Sequence, residues 1–353
     1  MYLRTLAESF KVFSFSRILL HPKYMLNRFL LNLSFALNLK KSLGKPAYVV
    51  IELTNHCNLK CVMCPQPRQT REAGYMSFEL FKSIIDQVKN YAEVIDLDLF
   101  GEILLHPKFD EFIKYGKSQG LKMMVSTNIT RLNEKYSKRL IDSGLDFITL
   151  SLDGAKKETF ESVRVGGNYE KCVENVETFL RLNKRKVFST IQIINMKQTQ
   201  RELIDFVEKF KNHDADIVRI IPYTSHDPKK KDLNCDYNYT PSENHCAFLW
   251  RTMVITWNGK VVPCCQDWDN NIVLGDMTKN NLNEIWNGEE FTKMRRDHID
   301  NNRIDYEICQ GCDAFNPSKL TMLGSSVLDD YNANKILPVI QKNYILSNLK
   351  KKN

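Results

Sequence analysis

The chain has 353 residues, 43% of them apolar and 26% charged, with a formal net charge of +8. That length exceeds one ordinary domain of about 100–200 residues but suits a single large α/β barrel with an appendage. The composition excludes a disordered chain, a collagen and a disulfide-dense mini-scaffold, and no apolar run reaches the roughly 18 residues of a membrane span.

The positive charge sits at the ends. Residues 1–45 carry eight Lys or Arg against one Glu, and residues 331–353 carry five Lys and no acid. The body between them holds 37 basic and 41 acidic residues, so a basic stripe for nucleic acid is not expected. Terminal basic clusters fit a solvated tail, an acidic partner or an anionic membrane surface. The apolar run at 29–39 has the length of a signal-peptide core, but Lys40-Lys41 follow where small cleavage-site residues would stand. Residues 1–45 therefore read as a basic helical extension packed across one end of the main domain, with peripheral membrane contact as the alternative. A cytoplasmic protein is expected, membrane-associated in that second case.

From residue 46 strand and helix signals alternate. Short apolar stretches rich in β-branched or aromatic residues predict strands at 48–53, 94–99, 122–126, 147–152, 188–194 and 217–221. Helix-length segments lie between them at 78–91, 109–119, 134–143, 169–184 and 200–211. Ser77 is placed to cap the first, and Gly120 and Gly144 to stop the second and third. Six such units predict a parallel sheet curved into a partial (β/α)6 TIM-like barrel over 46–223. Residues 224–245 are polar, charged and broken by Pro228 and Pro241, which predicts a linker. Beyond it, 253–257 and 260–262 flank Asn258-Gly259, a strong hairpin signal, and 282–296 predicts a helix. This cysteine-rich C-terminal unit, 246–318, is small for a core of its own, so a metal staple is expected to hold it. Residues 319–353 form a basic tail.

Ten cysteines carry most of the functional information. With no export signal, clustered cysteines read as metal ligands or reactive thiols rather than disulfides. Cys57, Cys61 and Cys64 fall in a Cys-x3-Cys-x2-Cys pattern on the loop leaving the first strand, the strand end where cofactors gather in α/β folds. Three thiolates can hold three irons of a [4Fe–4S] cluster and leave the fourth open. A structural zinc site borrowing His56 is the alternative. Cys246, Cys264, Cys309 and Cys312 make a second set, spaced Cys-x12-Gly-x4-Cys followed much later by Cys-x2-Cys. Four thiols suffice to close one [4Fe–4S] cluster, with a zinc ribbon as the alternative. Cys172, inside a helical pattern, reads as a buried small hydrophobe.

The segment from Glu52 to Pro65 resembles the signature of the radical S-adenosylmethionine superfamily. The resemblance continues along the strand ends. Gly101-Glu102, within Leu99–Pro107, is similar to the family's Gly-Gly-Glu-Pro segment, whose backbone meets the methionyl amino group. Phe100 and Ile103 stand in place of its usual first Gly and its Pro. Ser126 and Asn128 after the third strand, and Ser151 and Asp153 after the fourth, are similar to its polar strand-end motifs. Arg164 matches an arginine that can pair with the methionyl carboxylate, and Met63 stands where many relatives carry an aromatic beside adenine. The second cysteine set resembles the family's C-terminal SPASM extension in its shortened twitch form, where Gly259-x4 selects Cys264 over its neighbour Cys265.

The resemblance implies two [4Fe–4S] clusters, one binding S-adenosylmethionine and one auxiliary, and a reductase partner such as flavodoxin or ferredoxin. It also implies a 5′-deoxyadenosyl radical that abstracts hydrogen from substrate. A fully ligated auxiliary cluster suits electron acceptance, so the expected activity is that of an oxidoreductase. Its substrate would be a polar small molecule such as a sugar, aminocyclitol or nucleotide-linked precursor. A ribosomal-peptide or protein maturase, and a non-enzymatic metal-stapled scaffold or electron carrier, are the alternatives. Glu52, His56, His106 and Asp267 are candidate substrate bases among which spacing does not choose.

Overall fold

The computed structural model describes residues 22–225, 233, 246–310 and 312. Residues 1–21, most of the expected linker, Cys235 and the basic tail lie outside the described residues.

Six parallel strands alternate with helices as the sequence predicts. They are β1 Tyr48–Ile51, β2 Val94–Asp96, β3 Lys122–Thr127, β4 Phe147–Ser151, β5 Phe188–Asn195 and β6 Ile217–Pro222. The N-terminal segment supplies helix α1, Pro22–Ala36, and the connections supply α2 Phe78–Val88, α3 Phe109–Ser118, α4 Glu134–Asp142, α5 Lys157–Val163, α6 Tyr169–Asn183 and α7 Leu203–Phe210. Of these, α5 has no counterpart among the predicted helices. Ser77 caps α2, its side chain accepting from Leu80 N, and Gly120 and Gly144 take positive φ of 76° and 78° after α3 and α4.

Each strand pairs with its sequence neighbour, in the order β6-β5-β4-β3-β2-β1. That singly wound order is the order of a barrel wall. Across a flat sheet at about 4.8 Å per strand, β1 and β6 would stand about 24 Å apart. Yet Arg219 on β6 lies within electrostatic reach of Tyr48 on β1 and Asp96 on β2, so the sheet curls into a partial barrel. Register shows what each face carries. Val49, Ile51, Ile95, Val125, Leu150 and Ile193 are buried at 0% exposure on the convex face, in one core with helix residues such as Phe81, Phe112 and Phe206. The alternate positions point into the concave face.

The C-terminal unit corrects an expectation. It is small, as expected, but it shares the barrel's core, because its first strand extends the barrel wall. After α8, Phe248–Arg251, strand β7, Thr252–Ile255, pairs parallel with β1, and β8, Lys260–Val262, and β9, Gly275–Asp276, continue the sheet antiparallel. The predicted hairpin is present, with Gly259 at φ 84°. The predicted helix at 282–296 is two helices, α9 Leu282–Trp286 and α10 Glu289–Ile299, broken at Asn287-Gly288. Trp250, Trp286 and Phe291 join the same core as the barrel, and β7 covers the otherwise open edge of β1.

The segment around α1 also packs on this unit. Phe35 meets Trp250 edge-on at 5.5 Å, Trp250 Nε1 donates to Leu39 O at 2.9 Å, and Trp286 Nε1 donates to Gly44 O at 2.8 Å. Arg28 pairs with Glu93, tying the helix to the barrel as well. Leu31 and Phe35 are fully buried, whereas Leu26 and Phe29 remain exposed. Among the described residues, no helix is long and apolar enough to cross a membrane.

Candidate active site

The chain leaves β1 into a closed loop at 52–76. Met76 N returns to Leu53 O at 2.8 Å, Thr54 Oγ1 donates to Gly74 O at 2.7 Å, and Arg71 grips Glu52 with both ends of its guanidinium. Two further backbone bonds, Lys60 N to Val165 O at 2.9 Å and Val62 N to Val163 O at 3.0 Å, pin the cysteine turn to the segment after α5. Cys57, Cys61 and Cys64 are held in this turn within electrostatic reach of one another. Burial pushes all three thiols up, Cys64 to about 12. As thiols they are protonated at neutral pH, so taking up iron must release protons.

The next strand ends close over this turn. Gly101 approaches so tightly that an added Cβ would lie 1.9 Å from Thr54 O, and Glu102 N donates to His56 O at 2.8 Å. The Glu102 carboxylate, buried at 2% exposure, accepts from Asn128 N, Thr127 Oγ1 and Leu104 N. Burial outweighs these bonds and raises it to about 7. Asn128 Nδ2 reaches Asn58 Oδ1 at 3.0 Å and Cys57 Sγ at 3.8 Å. Gly101→Ala should therefore displace the turn, destabilising the protein by about 1–3 kcal/mol in denaturant titrations and weakening cluster retention.

Arg164 stands between the two pinning bonds, where the sequence places it, but its main partner is another predicted residue. Nε donates to Asp153 Oδ2 at 2.8 Å, Nη2 bonds the same oxygen, and Nη1 lies 3.9 Å from Cys61 Sγ. Asp153 also accepts from Ile194 N at 2.7 Å. These two residues thus brace each other beside the cysteine turn. Ser126 and Ser151 lie on the concave face, and Met63 is half-buried in the turn itself.

The second set also lies within mutual electrostatic reach, although among the described residues no three His, Cys, Asp or Glu side chains converge closely enough to hold a single metal ion. Cys246, Cys264, Cys309 and Cys312 interact electrostatically, with Cys265 beside them. Burial raises Cys246 and Cys309 to about 12 and Cys265 to about 11. All nine described cysteines are free thiols, so these groups remain available as ligands. The donor chemistry fits iron–sulfur clusters at both places. The two places are physically joined: Thr70 and Arg71, from the first cysteine loop, bond Asp269, and Gln69 Nε2 donates to Trp268 O at 2.9 Å.

Three of the four candidate bases are engaged in holding the fold. Glu52 is clamped by Arg71. His106 places Nε2 3.3 Å from Met76 O, while its Nδ1 accepts from Lys108 N. Asp267 accepts from Asn271 N and Ile272 N. The ring of His56 stacks on Tyr75 at 4.7 Å.

The concave face holds polar residues the sequence reading passed over. Val50 pairs with Asp96, Ser126 with Thr149, Ser151 with Gln192, and Gln192 with Arg219. Tyr48 donates its hydroxyl to Asp96. Asp98, just past β2, is within electrostatic reach of Glu102 on one side and of Tyr48 and Cys265 on another. The signal was present in Ile95-Asp96-Leu97-Asp98-Leu99, where strict alternation puts both acids on one face.

The profile of the radical SAM superfamily matches residues 51–210, and that of the SPASM iron-sulfur cluster-binding domain matches residues 246–313. The chain is similar to the tungsten-containing aldehyde ferredoxin oxidoreductase cofactor-modifying protein of Pyrococcus furiosus, 24% identical over 311 residues, which covers 75% of this chain and 86% of the relative. It is 23% identical over 272 residues to the S-adenosyl-L-methionine-dependent 2-deoxy-scyllo-inosamine dehydrogenase of Niallia circulans, covering 75% and 91% of the two chains. Its fold is similar to that of anSMEcpe with bound AdoMet and Cp18Cys peptide, with a TM-score of 0.57 and 18% identity over 82% of this chain and 99% of that one.

Proposed function

Because the chain belongs to the radical S-adenosylmethionine superfamily and carries a SPASM iron–sulfur domain, we propose that it is an oxidoreductase acting on a polar small molecule bound on the concave face of the barrel. The observation that carries this reading is the position of Asp98, just past β2, within electrostatic reach both of Glu102 beside the first cysteine site and of Cys265 beside the second. Substrate held there would lie between the site of hydrogen abstraction and an electron acceptor.

Cys57, Cys61 and Cys64 would hold the cluster that binds S-adenosylmethionine, and Cys246, Cys264, Cys309 and Cys312 the auxiliary one. S-adenosylmethionine bound at the first site would supply the hydrogen-abstracting 5′-deoxyadenosyl chemistry, the electron coming from a reductase such as flavodoxin or ferredoxin. The chain's own residues supply order and dryness. Gly101 and the Glu102 backbone bring the second loop against the cysteine turn, and Asn128 braces that turn through Asn58. Arg164, partly neutralised by Asp153, sets a positive charge beside Cys61, which favours its thiolate form.

Purified without oxygen and reduced with dithionite, the protein should convert S-adenosylmethionine to methionine and 5′-deoxyadenosine, with about eight irons and eight sulfides per chain. No cleavage would overturn the radical reading. One zinc with half that iron would remove the electron acceptor and, with it, the oxidoreductase reading.

A further inference from the structure

Arg219 and Arg295 are both deeply buried with no carboxylate partner among the described residues, and their surroundings differ. Arg295 is held by backbone and ring: Nε donates to Leu249 O, Nη1 donates to Trp286 O, Lys40 O and Asn287 Oδ1, and the guanidinium, whose Nη2 has no hydrogen-bond partner among the described residues, lies 4.5 Å from the Trp286 ring centroid. It staples the segment after α1 to the C-terminal unit. Arg219, at 6% exposure, has two neutral side-chain acceptors among the described residues: Nε donates to Gln192 Oε1 at 2.8 Å and Nη2 to Thr149 Oγ1 at 3.3 Å. No carboxylate among the described residues lies within ion-pair distance of it, and Asp96, whose charge it feels, is already bonded by Tyr48.

Burying a cation without a counter-ion is costly, and a folded chain ordinarily provides the partner. Here the neighbours fix the guanidinium instead. Gln192 and Thr149 hold the Nε side, which leaves Nη1 and the remaining Nη2 hydrogen as a two-pronged donor of the shape that carboxylate and phosphate oxygens fit. Arg219 sits in register with Gln192, which is itself in register with Ser151 on the next strand, on the concave face that also carries Asp96. We infer that Arg219 is a substrate-recognition residue whose guanidinium pairs with an anionic oxygen group, a carboxylate or a phosphate, on the molecule that is oxidised. This rests on the reading of the concave face as the substrate site.

The test uses the anaerobic holoprotein at ionic strength held constant with potassium chloride. Its melting midpoint is followed as inorganic phosphate or acetate replaces chloride. At least one anion should raise the parent midpoint by a few degrees, because a ligand that binds only the folded state stabilises it. A response to phosphate alone assigns a phosphorylated substrate, and one to acetate alone a carboxylic acid. Arg219→Gln should abolish the shift, and Arg219→Lys, which keeps the charge but loses the fork, should at least halve it. If Arg219→Gln does not fold, Arg219→Lys carries the comparison. A parent unmoved by both anions, or variants shifted as much as the parent, would overturn the inference. Cleavage of S-adenosylmethionine by the same parent preparation is read separately. Its absence would remove the radical reading while the anion result stood on its own.

Discussion

Replacing Cys57, Cys61 and Cys64 together by Ala should abolish reductive cleavage of S-adenosylmethionine and lower iron and sulfide to about half the parent content. The loss should be complete, because these thiols are the ligand set for the cluster with the open iron and no other cysteine shares their loop. The fold should survive. The turn is anchored by bonds that involve no sulfur: Lys60 N to Val165 O, Val62 N to Val163 O and Glu102 N to His56 O. The three thiols are also neutral before metal arrives, since burial raises each of them, so their removal strands no buried charge. Iron analysis, near-ultraviolet circular dichroism and chromatographic detection of 5′-deoxyadenosine decide the matter together. Cleavage by a correctly folded triple variant would mean that the radical site lies elsewhere.

Much of this arrangement is legible in the residues because local signals and tertiary need agree. Val49, Ile51, Ile95 and Leu150 are apolar because helices cover them, and the same apolar runs mark the strands. Ser77, Gly120 and Gly144 end or start helices through side-chain or backbone chemistry that is local by nature. The cysteine spacings carry their meaning within a few residues. What could not be read is the pairing of distant segments. Nothing in Thr252–Ile255 announces that it lies against β1, nor does Arg164 reveal that Asp153 will occupy it. Glu52 looks like a base until Arg71, from the far side of its loop, is placed on it. The concave face is intermediate. Alternation predicts that Asp96 and Asp98 share a face, but only closure of the sheet brings them to Arg219 and Cys265.

Replacing Cys309 and Cys312 by Ala should separate two activities that the parent couples. Cleavage of S-adenosylmethionine should continue near the parent rate, since it depends on the first cysteine turn. Net oxidation of substrate should fall almost to nothing, because the substrate radical would have no nearby acceptor and would be quenched or revert. The usual objection to such a variant is that loss of the cluster melts its domain. The shared core weakens that objection here. Strand β7 pairs with β1, and Trp250, Trp286 and Phe291 are buried in one core with the barrel, so the unit has apolar packing besides any metal. Burial keeps the Cys309 thiol neutral, and the neighbouring Cys246, Cys264 and Cys265 are raised likewise, so two Ala residues leave no orphaned charge among them. The cost should be that of two small half-buried side chains, roughly 1–2 kcal/mol, and visible as a lowered denaturant midpoint with an unchanged slope. A folded double variant that still makes oxidised product at the parent rate would rule out the acceptor role. The auxiliary cluster would then be structural, and a redox-neutral reaction such as epimerisation or C–C bond formation would become the better account of the same two sites.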